Sequence, residues 1–354
     1  MTAHNEIVRL FKSLSDNEKE VVLKKLGQAS VEETVLIENA LVVCCPHCES
    51  KLFVKNGKRG TNQKYKCKTC CKVFTAKTGT SLHRLHKTDK FDLYKSLMLE
   101  SYYPIKKIAK KVGISIQTAF DWRHKILSGT IKDDKSFEGI TEIDDIWFLY
   151  SQKGRKGLDY SRERGGSKRA GDNDFQVKLL ITTDRNKTTD MSLARIGRLR
   201  KADIERKVSG RFSEDCALVS DKHRSIAAFA KSENLKHVSF KASEHTAGGE
   251  YHVQNINNMA ASLKTIVNRT LKGVSTKYLQ NYANWYQVIS KQIDVEELER
   301  MLLQNKNATS SFVNREGVYK WFIENFSKRT YRCPVKRTYS TEFDQQTIAK
   351  LNLV

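Results

Sequence analysis

Two tight cysteine pairs, CPHC at residues 45–48 and CKTC at residues 67–70, have a spacing that points directly to a chemistry. A C-x2-C pair, a long spacer and a second C-x2-C pair make the pattern of a four-thiolate zinc site. Each pair forms a knuckle that turns two sulfurs toward one tetrahedral ion. Cys45, Cys48, Cys67 and Cys70 satisfy both spacings, whereas Cys44 and Cys71 only stand beside them. Four thiolates leave no open position, so the expected Zn2+ is structural, and so small a ribbon would draw its folding energy from the metal. The intervening KNGKRGTNQKYK can make a hairpin around NG or RG. Lys51, Lys55, Lys58, Arg59, Lys64, Lys66 and Lys68 would surround it with charge suited to phosphates.

Acidic residues in the second half of the chain offer a different chemistry. In ITEIDDIWFLY, residues 140–150, strand alternation puts Ile143 on one face, Asp144 on the other, and Asp145 opposite Asp144. A strand Asp is costly to bury unless it is paired or bound to metal. In CALVSDKH, Asp221 ends an apolar run just before a helix, where α/β sheets place ligand-binding residues. A helix cap is the plain alternative for Asp221. Two such Asp on neighbouring strands could hold Mg2+ through oxygen ligands and support phosphodiester cleavage. HVQNINNMAASLK, residues 252–264, reads as a helix whose apolar stripe is Val253, Ile256, Ala260, Leu263 and, beyond it, Val267. Asn257 and Lys264 sit beside that stripe almost two turns apart, facing nearly the same way; a boundary amide and a snorkelling lysine would explain them without function.

These residues need elements to hold them. Residues 1–40 show helical spacing and read as an arm, and residues 41–88 form the zinc ribbon. Residues 89–130 read as short helices, and the polar stretch 131–138 as a linker. From residue 139 to 330 strand-like runs come first and then alternate with helical stretches near 201–209, 223–234 and 253–272. That order suggests a mixed sheet with helices on both faces, an α/β fold, followed by a tail at 331–354. Within 89–130, PIKKIAKKVGISIQTAFDWRHKIL has the layout of a helix-turn-helix: Gly113 at the turn, Ser115 capping, and Ala119, Trp122 and Ile126 inward. Gln117, Thr118, Asp121 and Arg123 are then expected on the outer surface near the amino end of the second helix, where base edges would be met. An ordinary helical hairpin would show the same spacing.

Charge names the partner class. With 63 Lys and Arg against 40 Asp and Glu, the net charge is +23, which calls for a polyanion, most simply nucleic acid, with a solvated basic surface as the plain alternative. No stretch combines a basic face with a strongly apolar one, and no apolar run approaches the roughly 18 residues of a membrane span, so no membrane partner is expected. No signal peptide is expected at MTAHNEIVRLFKSL, and eight cysteines, several of them in tight pairs, suggest a reducing, cytoplasmic setting.

In this order, zinc ribbon, helix-turn-helix and acidic α/β domain resemble the DDE-type insertion-sequence transposases with an amino-terminal zinc ribbon, in the subgroup whose catalytic set is Asp, Asp, Asn, Lys. The matching stretches are CPHC, CKTCCKVFTAKTGT, IKKIAKKVGISIQTAFDWRHKIL, EIDDIWFLYSQKG, RGG, TTDRN, LVSD, HVQNINNMAASLK and GVSTKYLQNYANWY, spanning residues 44 to 286. The resemblance implies an RNase H-like catalytic domain that cuts and joins strands at the ends of a mobile element with Mg2+ or Mn2+, as a homo-oligomer on element-end and target DNA in the nucleoid. It implies Asp144 and Asp221 as the two acids, Asn257 as a neutral metal ligand where the wider superfamily has Glu, and Lys264 as a phosphate contact. Two positions depart from the pattern: Asp145 stands where Glu often follows the first acid, and NMAA follows Asn257 where bulkier residues are common. Glu250, seven residues before Asn257, is the substitute acid. A DNA-binding regulator without catalysis and a metal-dependent nuclease without strand transfer are the competing readings.

Overall fold

The computed structural model of the chain describes residues 42–60, 62–83, 87–130, 135–154, 171–173, 176–241 and 249–304, with residue 85 and scattered positions from 10 to 22. Most of the expected arm at 1–40, residues 131–134 of the expected linker and the tail at 331–354 lie outside the described residues. The described residues fall into two units, those up to residue 83 with 302–304, and those from 85 to 301.

In the first unit the cysteine-rich stretch is an antiparallel sheet of β1 (Phe53–Arg59), β2 (Asn62–Cys67) and β3 (Val73–Thr75). Both candidate turn dipeptides are used. Gly57 of NG, at φ 68°, stands where the β1–β2 register shifts, and Gly60 of RG, at φ 60°, lies at the tip. Glycine takes these left-handed angles without steric cost. Phe53, Tyr65 and Phe74 form the small core, the last two stacked at 5.6 Å and Phe53 edge-on to both. Beside it, ligand atoms of Cys45, Cys48, Cys67 and Cys70 all lie within 4.8 Å of one another. The Sγ separations are 3.7 Å for Cys45–Cys70 and 3.6 Å for Cys48–Cys67. Sulfurs about 2.3 Å from a tetrahedral zinc are about 3.8 Å apart, so the cluster has the size of that site. The Cys70 backbone N–H, 3.5 Å from Cys67 Sγ, is the main influence holding the Cys67 thiol down to about 6, toward the thiolate that a metal takes. Cys44 and Cys71 are outside the cluster.

The second unit begins with α1 (Thr88–Glu100), α2 (Ile105–Val112) and α3 (Ile116–Gly129). Gly113 ends α2 at φ 67°, in the left-handed region, and Ser115 caps α3 by accepting the Thr118 N–H at 3.0 Å. Ile108, Ala109, Ala119, Trp122 and Ile126 are buried, as their spacing requires, and α1 adds Phe91, Tyr94 and Met98. Trp122 meets Phe91 and Tyr94 edge-on.

Five strands follow: β4 (Ile140–Leu149), β5 (Gln176–Asp184), β6 (Thr189–Ile196), β7 (Ala217–Asp221) and β8 (Lys236–Phe240). Their order in the sheet is β6-β5-β4-β7-β8, antiparallel from β6 to β4 and parallel from β4 to β8. This is the mixed, RNase H-like sheet that the resemblance implies. On one face α4 (Lys201–Val208) and α5 (Arg224–Ser232) close a core of Ile143, Leu180, Ala194, Leu218, Ile204, Val208, Ile226 and Phe229. Against the rest of the sheet pack α6 (Gln254–Thr265), continued by a π turn at Ile266–Thr270, and α7 (Leu279–Ser290). A last helix, α8 (Val295–Gln304), follows. No helix among the described residues is long and apolar enough to cross a membrane.

Two boundaries differ from expectation. The linker expected at 131–138 ends early, because Phe137 is fully buried against Phe212 and exchanges backbone hydrogen bonds with Arg211 and Ser213. One aromatic residue in a polar stretch carries the α/β core back past residue 139. Nor are residues 89–130 free-standing. Trp285 of α7 donates its indole N–H to Met98 O at 2.8 Å, and His124 of α3 stacks on Tyr278 at 4.0 Å and bonds to Asn281. From the same helix Gln280 satisfies the edge of β6, accepting from Leu193 N at 2.7 Å and donating to Met191 O at 2.8 Å. Helix α7 therefore holds the hairpin and the sheet together.

Two outcomes are expected. Elemental analysis of freshly purified protein should find about one Zn2+ per chain, lost in Cys45→Ser and Cys67→Ser and retained in Cys44→Ser. A metal-free wild type would refute this. Trp285→Ala should cost about 3–5 kcal/mol, seen as a lower midpoint in denaturant unfolding, and the hairpin and sheet should still melt together if α7 joins them.

Candidate functional site

The acid pair is set by strand pairing. β4 and β7 run parallel with Ile140 opposite Ala217, Thr141 opposite Leu218 and Glu142 opposite Val219. Two residues further along each strand, the same register brings Asp144 beside Asp221, on strands about 4.8 Å apart. Alternation puts both on the face opposite Ile143 and Leu218, which fill the α4–α5 core. Burial, then the charges of Asp145 and Asp221, push the Asp144 carboxyl up to about 7. Asp144 Oδ1 accepts the Asp145 N–H at 2.7 Å, whereas Asp221 Oδ1 is buried with no hydrogen-bond partner among the described residues. The cap alternative for Asp221 fails: α5 starts at Arg224, with His223 at the cap position and no side-chain capping bond. Asp145, on the other face, pairs with the buried Lys178 at 2.7 Å, and Lys178 also reaches Asp172 at 2.6 Å.

Helix α6 carries the other two residues. Val253, Ile256, Ala260, Leu263 and Val267 are all buried, so the apolar stripe is real. Asn257 beside it is exposed and Lys264 half-buried, with the ammonium 5.7 Å from the centre of the Trp147 ring. At its amino end α6 meets a group that sequence reasoning missed. Glu142 is fully buried, and its carboxylate accepts from Ile256 N at 3.1 Å, Asn255 Nδ2 at 2.7 Å and Arg185 Nη1 at 2.5 Å. Arg185 also donates to Glu250 O at 2.7 Å. From Ile256 to Lys264 a helix rises about 12 Å, and from Glu142 to Trp147 a strand runs about 16 Å. The helix packs against β4 and β5 and is anchored at its amino end, with Asn257 one residue past that anchor. Glu250, the substitute acid, is exposed in a turn, and its carbonyl rather than its carboxylate is engaged. One signal could have found Glu142: a Glu two residues from Asp144 in a strand whose neighbours are all apolar or β-branched needs a partner.

On α3 the expected surface is formed in part. Gln117 is exposed and donates to Asp121 at 2.6 Å; Thr118 and Asp121 are half-buried. Arg123 corrects the expectation. It is fully buried, its guanidinium stacked 4.6 Å from the Trp285 ring centre and donating to Tyr103 O at 2.5 Å. The flat cation fills the seam between α3 and α7, so it cannot read bases. A helical wheel of α3 alone leaves Arg123 outside because it cannot see α7. In the other unit Lys58 and Arg59 are exposed at the end of β1.

The chain is 26% identical over 140 residues to an uncharacterized protein in transposable element ISH50 of Halobacterium salinarum, a match covering 39% of this chain and 48% of that protein. It thus spans about half the length of that relative. A pre-cleavage Mos1 transpososome structure aligns with 57% of this chain and 78% of its own at 11% identity and a TM-score of 0.19, too low a score to carry an argument. The family model for the ISXO2-like transposase domain matches residues 136–287, from just before β4 into α7. That match spans the sheet and helices that carry Asp144, Asp221, Asn257 and Lys264.

Proposed function

We propose that the chain is a DDE-type DNA transposase that binds the ends of an insertion element through its ribbon and α2–α3 hairpin, read as a helix-turn-helix, and cuts and joins strands at Asp144 and Asp221. The observation that carries this reading is the pair itself. Two carboxylates are held side by side, with Asp144 pushed up to about 7 and an Asp221 oxygen left without a partner. Such a donor set suits a hard divalent cation, Mg2+ or Mn2+. Asp144 and Asp221 would hold it, with the Asn257 amide oxygen as the neutral third ligand. When bound, such ions activate an oxygen nucleophile and stabilise the leaving oxygen of a phosphodiester. Lys264, whose ammonium lies 5.7 Å from the centre of the Trp147 ring, places that charge on the scissile phosphate. Gln117, Thr118 and Asp121 meet base edges, while Lys58 and Arg59 meet phosphates. Double-stranded DNA as partner puts the protein on the nucleoid, and joining two ends calls for a homo-oligomer.

Chemistry is tested with duplexes carrying the ends of the element that encodes the chain. Mg2+-dependent cleavage should vanish in Asp144→Asn and in Asp221→Asn and fall in Asn257→Ala, with end binding retained in all three. Wild-type cleavage by Asp144→Asn would refute the reading, and cleavage without strand transfer would favour a nuclease.

Recognition separates by residue. Gln117→Ala should lower the preference for element ends over random duplex by about 5- to 100-fold, the worth of one base contact. Lys58→Ala should weaken binding to all sequences and reduce the salt slope by about one. Equal loss on both DNAs in Gln117→Ala would remove α3 from base reading.

A pH experiment checks the acid pair without metal. In the folded chain Asp144 takes up its proton near pH 7, against 3.8 ordinarily. Between those values the folded state holds a proton that the unfolded state lacks, so this group's contribution to stability falls as pH rises toward 7. Asp144→Asn, which imitates the protonated acid, should raise the melting temperature at pH 8 in chelator and lose that advantage at pH 4. A gain independent of pH would mean that the Asp144 carboxyl is not raised in the folded chain.

A further inference from the structure

We propose that Glu142 is the positioning residue of this site: its buried carboxylate fixes the start of α6, and thereby the place of Asn257, relative to Asp144. The inference rests on the metal-site reading above and deepens it.

Glu142 and Asp144 project from the same face of β4, two residues apart. Asp144 faces Asp221, while Glu142 faces the amino end of α6. Its three donors come from three places: the Ile256 backbone N–H in the first turn, the Asn255 side chain, and Arg185 just after β5. Two of them are the residues immediately before Asn257. A helix start leaves backbone N–H groups unsatisfied, and a carboxylate is the acceptor that both bonds them and suits the helix dipole. Arg185 closes the arrangement by gripping the Glu250 carbonyl at 2.7 Å, which holds the chain leading into α6. No other carboxylate among the described residues accepts a hydrogen bond from this first turn of α6, so the residue is specific to this end of the helix. Glu142 touches neither substrate nor metal in this scheme. It acts through Asn257.

Positions behind a metal ligand typically change affinity by about 10- to 100-fold when altered. The experiment measures Mn2+ binding to the full chain by electron paramagnetic resonance titration, with circular dichroism as the check on folding. Glu142→Gln keeps the shape but replaces one acceptor oxygen by a donor, and should weaken Mn2+ binding by about 10- to 100-fold. Asn255→Ala, at an exposed position, removes one donor without threatening the core and should weaken binding in the same direction by a smaller factor. The decisive comparison is a double-mutant cycle. If Glu142 works through Asn257, Glu142→Gln should add little once Asn257→Ala is present. Full additivity of the two losses would overturn the proposal, as would wild-type Mn2+ binding in both Glu142→Gln and Asn255→Ala while Asp144→Asn destroys it. Unchanged binding in Asp144→Asn and Asp221→Asn would instead bring down the metal-site reading itself, and the proposal with it.

Discussion

Two carboxylates held side by side repel each other, and the register between β4 and β7 is what keeps Asp144 and Asp221 together against that repulsion. Strand side chains alternate, so a slip of one residue would turn every side chain to the other face. Ile143 and Leu218 resist the slip. Both are fully buried in the α4–α5 core, each beside one of the residues that would have to replace it. Exchanging Ile143 for Asp144 in that core would put a carboxylate among aliphatic side chains, at a cost far above any gain from separating the acids. The apolar face of the sheet therefore holds the geometry of the acidic face.

A second constraint runs through α7. Gln280 ties it to β6, and Trp285, Asn281 and Asn284 tie it to α1 and α3. The buried Arg123 and His124 sit in that seam, His124 with its pKa well below the ordinary value because burial disfavours the charged ring. On the proposed reading, the helix that meets base edges and the acids that act on the strand share one unit. The separation between recognised base pairs and the cut is then set by packing across α7 rather than by the span of a linker.

Much of this was visible in the residues alone. The cysteine pairs, the turn at Gly113, the stripe of α6 and the apolar runs of β4 to β7 are local periodicities, and local periodicity survives translation into structure. What escaped depends on partners distant in sequence. Arg123 looks exposed until Trp285, 162 positions away by its number, covers it. Phe137 looks like linker until Phe212 receives it. Glu142 looks like one polar residue in a strand until Arg185 and the start of α6 converge on it. β8 and α7 carry little periodicity of their own, since KHVSF is short and half-exposed and LQNYANWYQVIS mixes amides into its buried face.

The same long-range partners explain why a neutral residue suits position 257. Four acids crowd this end of β4 and β7, and they are treated differently. Glu142 has Arg185 and Asp145 has Lys178, each within 2.7 Å. Asp144 and Asp221 have no ion-pair partner among the described residues, and burial, then the charges of Asp145 and Asp221, raise the pKa of Asp144. Glu142 and Asp145 are neutralised in place, while Asp144 and Asp221 are left uncompensated, which on the proposed reading is what gives them affinity for a cation. A fifth carboxylate at 257 would raise that repulsion again whenever the cation is away. On the proposed reading, an amide there supplies an oxygen without a charge, and it keeps its place with or without the cation because Glu142 holds the start of its helix.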